Sequence, residues 1–218
     1  MTDLRLRYQT VEFGEIDVHL CTLRNNQEFH DPDGVAEKLG ISSATWPLFG
    51  IVWPSGLVLA HHVLGMETES KRILEVGCGV GLSSLLLNKQ SADITATDYH
   101  PEVDAFLQRN ALLNGDKPIA FERIDWAESE SDMGKFDLII GSDLLYEDEH
   151  APLLAEFIDA HANPDCEVVV VDPGRGRKNK LRGQLEQRGF SFSEEKPVDT
   201  TYLDKEFKGY VLTFKRVV

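Results

Sequence analysis

The chain has 218 residues, 42% of them hydrophobic, and its 37 acidic and 22 basic side chains give a net charge of −15. This length suits one large domain, the negative charge argues against a nucleic-acid substrate, and the lack of a long uncharged apolar stretch argues against a membrane span. Three dispersed cysteines and an N-terminal stretch without a secretory pattern lead us to expect a cytoplasmic protein.

The first fifty residues are predicted to form an extension of the main domain. Residues 4–24 alternate polar and apolar side chains, which predicts a half-buried β-hairpin with a turn near Gly14. Residues 31–44 then indicate a polar turn and a short helix. We therefore expect an N-terminal extension, residues 1–50, packed on a main domain of residues 51–218.

From Arg72 onward, buried strands alternate with helices, which is typical of a mostly parallel sheet covered on both faces. The predicted strands are residues 72–76, 93–97, 119–124, 136–142 and 167–172. The predicted helices are residues 80–89, 101–114, 149–160 and 178–188, with Pro101 in the first turn of its helix. Residues 190–195 and 209–217 have period-two character and predict a closing antiparallel pair. The expected fold class is α/β, with a doubly wound sheet.

Three glycines lie between the first of these strands and a helix, in Gly77-Cys78-Gly79-Val80-Gly81. A strand, a glycine-rich turn and a helix in this order are the context of a nucleotide fingerprint. Leu82 occupies the position where the dinucleotide pattern requires Gly or Ala, which argues against a dinucleotide. The loop is therefore predicted to let its backbone approach a different ligand closely.

Polar residues at the ends of the next two strands narrow the choice of ligand. Asp98 could accept hydrogen bonds from both hydroxyls of a ribose. Asp125 could accept one from an exocyclic amine, and Trp126 offers a wall for a purine. Together they predict an adenosine-bearing ligand. Two structural alternatives stay open, because Asp98 could cap the helix beginning at Pro101 and Trp126 could belong to the core.

These motifs resemble a known family. The stretches RILEVGCGVGLSSL, TATDYHPEV, ERIDW and FDLIIGSDLLY are similar to the seven-strand, Rossmann-like S-adenosylmethionine-dependent methyltransferases, from about Ile51 onward. Asp143 and Tyr146 of SDLLY resemble the D-x-x-Y motif of the protein-lysine methyltransferases within that class. The stretch GIVWPSGLVLAHHV resembles the tryptophan-bearing helix before their cofactor loop, and VDPGRGR resembles a segment of the branch that methylates the electron-transfer-flavoprotein beta subunit.

The resemblance implies a seven-stranded, mostly parallel sheet with an antiparallel last strand, and S-adenosylmethionine as cofactor. It also implies a protein substrate with an accessible lysine. The implied catalytic residues are Asp143 and Tyr146, at the mouth where the methyl group meets its acceptor, and Asp143 would also contact the cofactor. The remaining implied cofactor residues are Glu75, Gly77, Gly79 and Gly81 at the methionine portion, Asp98 at the ribose, Asp125 and Trp126 at the adenine, and Trp53 on the other side.

Several residues keep more than one interpretation. Asp143 could take a proton from the amine or only orient it, or it could simply cap the helix after Tyr146. Arg175, in the basic run DPGRGRKNK, could recognise an acidic partner surface or belong to a solvated turn. His61 and His62 are adjacent, so their side chains diverge on a helix, and we expect no metal site.

Three functions therefore remain open. The favoured one is methylation of a protein side chain, with lysine as the expected acceptor. The second is a small-molecule N- or O-methyltransferase with the same cofactor, which would need an enclosed, aromatic-lined acceptor pocket, whereas a protein acceptor needs an open groove. The third is a non-catalytic interaction module that retains the fold, against which the intact Glu75, Asp98 and Asp143 argue.

Overall fold

The computed structural model describes residues 4–127 and 131–216. Residues 1–3, 128–130 and 217–218 lie outside the described residues. They include the start of the predicted extension, the end of the predicted main domain and the last residue of the predicted closing strand. The strands are β1 (Leu6–Phe13), β2 (Ile16–Leu23), β3 (Arg72–Val76), β4 (Asp93–Asp98), β5 (Ala120–Arg123), β6 (Phe136–Ser142), β7 (Ala162–Asp172), β8 (Ser191–Glu195) and β9 (Tyr210–Arg216). The helices are α1 (Val35–Lys38), α2 (Pro54–Leu64), α3 (Leu82–Lys89), α4 (Val103–Leu113), α5 (His150–His161) and α6 (Lys178–Glu186), and a 3-10 helix spans Trp46–Gly50.

Seven strands form one sheet in the order β5-β4-β3-β6-β7-β9-β8. The last strand, β9, runs antiparallel to its neighbours β7 and β8, whereas the pairs from β5 to β7 are parallel. The predicted α/β fold, a doubly wound Rossmann-like seven-stranded sheet with an antiparallel last strand and an N-terminal hairpin, is confirmed. The chain reverses its direction across the sheet between β3 and β6, and such a switch point is where open α/β sheets bind ligands.

Several element bounds differ from the predicted ones. Helix α3 begins at Leu82 rather than Val80, because Gly81 is its N-cap and has a left-handed φ of 72°. Helix α4 begins at Val103, so Pro101 lies in the turn before the helix and not in its first turn. Strand β7 begins already at Ala162, because Phe136 of β6 pairs with that residue ahead of a register shift.

The two faces of the sheet bury separate cores, because successive side chains of a strand point to opposite sides. Ile73 packs in a core that includes side chains of α2, α3 and α4, whereas the next residue, Leu74, packs in a core that includes side chains of α5 and α6. Both residues are fully buried. The carboxyl ends of the strands are thus held at one edge by packing on both faces.

The N-terminal hairpin shares the first of these cores through Phe13, Leu20 and neighbouring side chains. Its strand β2 is also bound by two asparagines of α4. The Asn110 amide accepts the N–H of Cys21 at 2.7 Å and donates to its carbonyl at 3.3 Å. Asn114 makes the same pair with His19, at 2.9 and 2.7 Å. Backbone groups at the outer edge of β2 are therefore satisfied by α4.

One segment of the described chain, Trp46–Leu64, is long and apolar enough to cross a membrane by length and composition alone. It consists of the 3-10 helix and α2, separated by the non-helical residues 51–53. Val58, Leu59 and Val63 of α2 are fully buried in the first core. A helix inside a protein core can be equally long and apolar, and its burial identifies α2 as a core helix.

Candidate active site

The carboxyl ends of β3, β4, β6 and β7 lie side by side. Val76 of β3 is paired with both Thr97 and Gly141, and Ser142 of β6 is paired with Val171. The residues that follow these strands therefore meet at one edge of the sheet. We call residues 75–81 together with Asp98 the glycine-loop side, and Asp143, Tyr146, Asp172 and Arg175 the ion-pair side.

The three glycines of the loop have left-handed backbones, with φ of 62° at Gly77, 55° at Gly79 and 72° at Gly81. A Cβ at Gly79 would lie 2.9 Å from the carbonyl oxygen of Phe49, and one at Gly77 would lie 2.6 Å from the Leu144 side chain. The fold itself therefore requires glycine at these positions, because both the backbone conformation and the packing exclude a side chain. Ligand approach, the reason proposed from the sequence, is additional to this one.

Asp98 closes the glycine loop. Its two carboxylate oxygens accept the backbone N–H groups of Gly79 and His100, each at 2.9 Å. Burial raises the pKa of Asp98, and these backbone bonds oppose the rise. Each oxygen keeps a further lone pair for a ligand hydroxyl. The N-cap of α4 is Glu102, so Asp98 does not cap that helix.

Glu75 is buried beneath the loop and ties β3 to α3. One of its oxygens accepts the backbone N–H of Ser84 at 2.9 Å and also the Ser84 hydroxyl. Burial raises the pKa of Glu75 to about 7, against the opposing effect of the Ser84 bonds. These contacts give Glu75 a structural role that was not predicted, and its role at the methionine portion of a cofactor stays a prediction.

The 3-10 helix covers the glycine-loop side. The Phe49 ring stacks on His100 with centroids 4.1 Å apart, and Trp46 meets the same imidazole edge-on at 5.3 Å. Trp53 adjoins this cover, because its indole N–H donates to the Leu48 carbonyl at 2.9 Å. Burial lowers the pKa of His100 to about 4, so the ring is neutral near pH 7. Sequence reasoning missed Phe49 and His100, whose meeting depends on the tertiary fold.

Asp125 and Trp126 lie after β5, as predicted. Asp125 accepts the N–H of Ala127 at 2.9 Å, which closes a turn. Trp126 is half-buried against the second core, so the core interpretation holds for part of its ring. Its edge meets His150 at 5.5 Å, and His150 meets Tyr146 at 4.4 Å. His150, which the sequence did not single out, thus joins the predicted adenine wall to the predicted mouth.

Asp143 follows β6 and has a left-handed backbone, φ 56°, which is unusual for a residue other than glycine. Its N–H donates to the carbonyl of Val171 at 2.9 Å, and its carboxylate binds the Arg175 guanidinium through both oxygens, one of them at 2.8 Å. Helix α5 has Glu149 as its N-cap, so the interpretation of Asp143 as a helix cap is wrong.

Tyr146 follows β6, three residues after Asp143, and 49% of its surface is exposed. Partial burial raises the pKa of Tyr146 to about 12, and the charges of Asp98, Glu147 and Asp143 contribute to the rise. Its hydroxyl is therefore protonated at neutral pH. Only β3 separates strand β4, which ends at Asp98, from strand β6, which leads to Tyr146, so the two sides of the candidate site lie at neighbouring strand ends.

The basic run is paired with acids of the chain itself. Arg175 binds Asp143, Arg177 binds Asp148 at 2.8 Å, and Lys178 binds Glu194 at 2.7 Å. Both earlier interpretations of Arg175, as a reader of a partner's acids or as a solvated turn, missed this pairing. The two glycines that flank Arg175 in DPGRGR were the sequence signal for an unusual backbone conformation in this loop.

Histidines and other ligand-type side chains do not gather into a metal site in the described chain, where no group of three or more His, Cys, Asp or Glu could hold an ion. His61 instead stacks on Tyr202, with ring centroids 3.6 Å apart and nearly parallel planes.

Comparison with known proteins matches this chain to lysine methyltransferases. A family model described as lysine methyltransferase matches residues 39–182. The chain is 28% identical over 163 residues to the protein N-lysine methyltransferase METTL21A of Danio rerio, covering 70% of this chain and 74% of that protein. It is 29% identical over 135 residues to the electron transfer flavoprotein beta subunit lysine methyltransferase of the same organism, covering 60% of this chain and 52% of that one.

Among solved structures, the 16S rRNA N2 G1207 methyltransferase RsmC of Thermus thermophilus, in complex with AdoMet and guanosine, superposes with a TM-score of 0.62. The match has 16% sequence identity and covers 99% of this chain and 51% of that one. At this identity the match shows a shared fold.

Proposed function

This chain belongs to the lysine methyltransferase family, and we propose that it transfers the methyl group of S-adenosylmethionine to a lysine side chain of a protein. The observation that carries the proposal is the arrangement of the site residues at one edge of the sheet. Asp98 at the end of β4 is bound to the glycine loop, and Asp143 and Tyr146 of the D-x-x-Y motif follow β6, with only β3 between the two strands.

The donor set of the crevice fits this cofactor, which carries a ribose diol and a positively charged sulfur. Glu75, Asp98, Asp143 and Asp172 all lie at the carboxyl ends of neighbouring strands, so the crevice is rich in carboxylates. Asp98 retains lone pairs for the two ribose hydroxyls. We assign the methionine portion to Glu75 and to Gly77, Gly79 and Gly81, the adenine to Asp125 and Trp126, and the opposite wall to Trp53.

When bound, S-adenosylmethionine supplies a methyl group that its sulfonium already activates, so the protein has to position the acceptor and exclude water. A lysine amine must be neutral to attack, although its ordinary pKa is about 10.4. We assign to Asp143 the acceptance of an N–H hydrogen bond from that amine, through the lone pairs that Arg175 leaves free. The protonated Tyr146 hydroxyl forms the other side of the mouth.

The exposure of the mouth supports a protein acceptor over a small molecule. Tyr146 is half-exposed and Arg175 has 41% of its side chain exposed, so the acceptor side is open. The net charge of −15 would attract a basic segment of a partner. A cytoplasmic location stays a prediction, supported by the three buried free cysteines.

The proposal is tested by incubating the protein with methyl-tritiated S-adenosylmethionine and dialysed cell lysate, followed by acid hydrolysis and amino-acid analysis. We expect label in methyl-lysine from the protein fraction, and background label with the Asp143→Asn protein. Label that appears only when undialysed lysate replaces the dialysed one, and only in its small-molecule fraction, would support the small-molecule alternative. Label in methyl-arginine would contradict the lysine assignment, and no transfer to any acceptor would support the interaction module.

A further inference from the structure

The backbone of the loop after β7 directs the Arg175 side chain toward Asp143. Arg175 lies between Gly174 and Gly176, whose left-handed φ values are 98° and 82°. The Asp172 carboxylate accepts the N–H of Gly174 at 3.1 Å, which fixes the turn at the end of the strand. Within the described chain nothing lies within 4 Å of a Cβ at either glycine, so conformation rather than packing requires them.

The ion pair that results differs from its neighbour in the same loop. Arg175 meets Asp143 with two parallel contacts, and the Asp143 side chain is only 13% exposed. Arg177 meets Asp148 through a single guanidinium nitrogen, and the Asp148 side chain is 74% exposed. A forked pair whose carboxylate is largely shielded from water holds its geometry better than a single contact to an exposed carboxylate.

The charged and titratable groups around this pair come from several neighbouring elements. The charge of Lys178 of α6 lowers the pKa of Asp172 at the end of β7, whereas the charge of Asp143 raises it. The charge of Asp172 in turn raises the pKa of Arg175. Further described groups near the pair are Tyr146 and Glu147 after β6, His150 of α5 at 3.9 Å from Glu147, and Asp98 at the end of β4. Acids outnumber bases among these groups, so an ammonium group entering the crevice would be stabilised in its charged form if Asp143 were unpaired.

We propose that Arg175 is a positioning residue that neutralises the Asp143 carboxylate, so that a substrate lysine at Asp143 is held as the neutral amine. The inference rests on the proposed function. An ionised carboxylate beside a lysine favours the ammonium form, which cannot attack a methyl group. The same carboxylate paired with a guanidinium still accepts an N–H hydrogen bond but exerts little net charge. Arg175 therefore orients the amine through Asp143 without raising the pKa of that amine.

The test is the pH profile of methyl-lysine formation for wild type, Arg175→Gln, Arg175→Lys and Arg177→Gln. Donor is methyl-tritiated S-adenosylmethionine at saturation, and acceptor is a dilution series of dialysed lysate protein, extrapolated to saturation at each pH. For Arg175→Gln we expect the acidic limb of the saturated rate to move up by about one pH unit. Arg175→Lys keeps the charge, so its limb stays in place while its rate falls several-fold for lack of the fork. Arg177→Gln removes the same charge from the same loop and leaves the profile unchanged.

Thermal unfolding and S-adenosylmethionine affinity, measured on each variant, verify that the fold and the cofactor site are intact. If Arg175→Gln is unfolded, Arg175→Met, an apolar side chain of similar length, repeats the test. If the acidic limb of Arg175→Gln or Arg175→Met stays at the wild-type position, the inference is overturned. A rate above that of wild type at every pH would also overturn it, because Arg175 would then hinder the reaction. Absence of methyl-lysine with wild type would overturn the proposed function and this inference with it.

Discussion

The two sides of the crevice are held by different forces. On the glycine-loop side, Glu75 is buried, Asp98 is bound to backbone N–H groups, and His100 is stacked under Phe49. On the ion-pair side, Asp143 is held by the guanidinium of Arg175, and Tyr146 is half-exposed. One side is fixed by packing and backbone hydrogen bonds, the other by charges near water.

This difference matches the two tasks of a group-transfer enzyme. A constant cofactor can be held by backbone and buried groups, which are rigid and insensitive to salt. A protein acceptor must enter from solvent, so its site has to be open and must rely on charge and hydrogen bonding. The comparison therefore predicts that variants on the two sides affect separable quantities, cofactor affinity or stability on one and turnover on the other.

The largest expected effect is on turnover, at the ion-pair side. Asp143→Asn keeps the shape of the side chain but removes the charge that holds Arg175, and with it the orientation of the amine. We expect the rate of methyl-lysine formation to fall about 1,000-fold, as for loss of a positioned catalytic group, with cofactor affinity within a factor of about three. Equal losses of turnover and affinity would erase the distinction between the two sides.

The next effect is on cofactor affinity, at the glycine-loop side. Asp98→Ala removes the acceptors assigned to the ribose, and we expect S-adenosylmethionine to bind roughly 100-fold more weakly by calorimetry, since hydrogen bonds to a charged group are the strong ones. Thermal unfolding of the same sample shows whether the loss of the hydrogen bonds to the glycine loop has left the protein folded. Full affinity in a folded Asp98→Ala protein would remove the ribose assignment.

Stability should respond to packing around the glycine loop. Gly79→Ala places a Cβ 2.9 Å from the Phe49 carbonyl in a left-handed backbone, whereas Gly14, φ 66°, has open space around it within the described chain. We expect Gly79→Ala to lower the free energy of unfolding by about 2–3 kcal/mol, and Gly14→Ala, the control, by about 1 kcal/mol for the backbone alone. Equal losses in chemical denaturation would mean that the 3-10 helix does not press on the loop.

A further effect is a pH dependence of the free energy of unfolding that comes from Glu75. Its pKa of about 7 in the folded chain lies above the ordinary value of 4.5, so between these pH values the folded state holds a proton that the unfolded state has lost. Stability from this group is present below pH 4.5 and declines as the pH rises, by about 1 kcal/mol per pH unit up to pH 7. Glu75→Gln removes this slope, and identical slopes in denaturation of the two proteins would contradict the burial of a titrating carboxyl.

Much of the fold was predictable because its signals are local. The alternation of buried strands with helices after Arg72 predicted the strands of the main sheet, and the glycine spacing placed the loop after β3. The helix starts were less well predicted, since Gly81 and Glu102 act as N-caps through backbone conformation, which the residue types alone do not reveal.

The contacts within the site were harder to predict, because they join distant parts of the chain. Asp143 and Arg175 are 32 positions apart and meet only because β6 and β7 are neighbours. Phe49 reaches His100 because the N-terminal segment folds over the end of β4. Residue types identified which side chains carry chemistry, whereas the partner of each one depended on strand order and on the path of the extension.

The most direct test of the two-sided crevice is a crystal structure of the protein with S-adenosylhomocysteine, the demethylated cofactor. We predict density for the nucleoside at the ends of β3 and β4, with the ribose hydroxyls on Asp98 and the sulfur facing Asp143 and Tyr146. A crystal in which the 3-10 helix fills that crevice at saturating ligand, or in which the nucleoside binds elsewhere, would contradict the account.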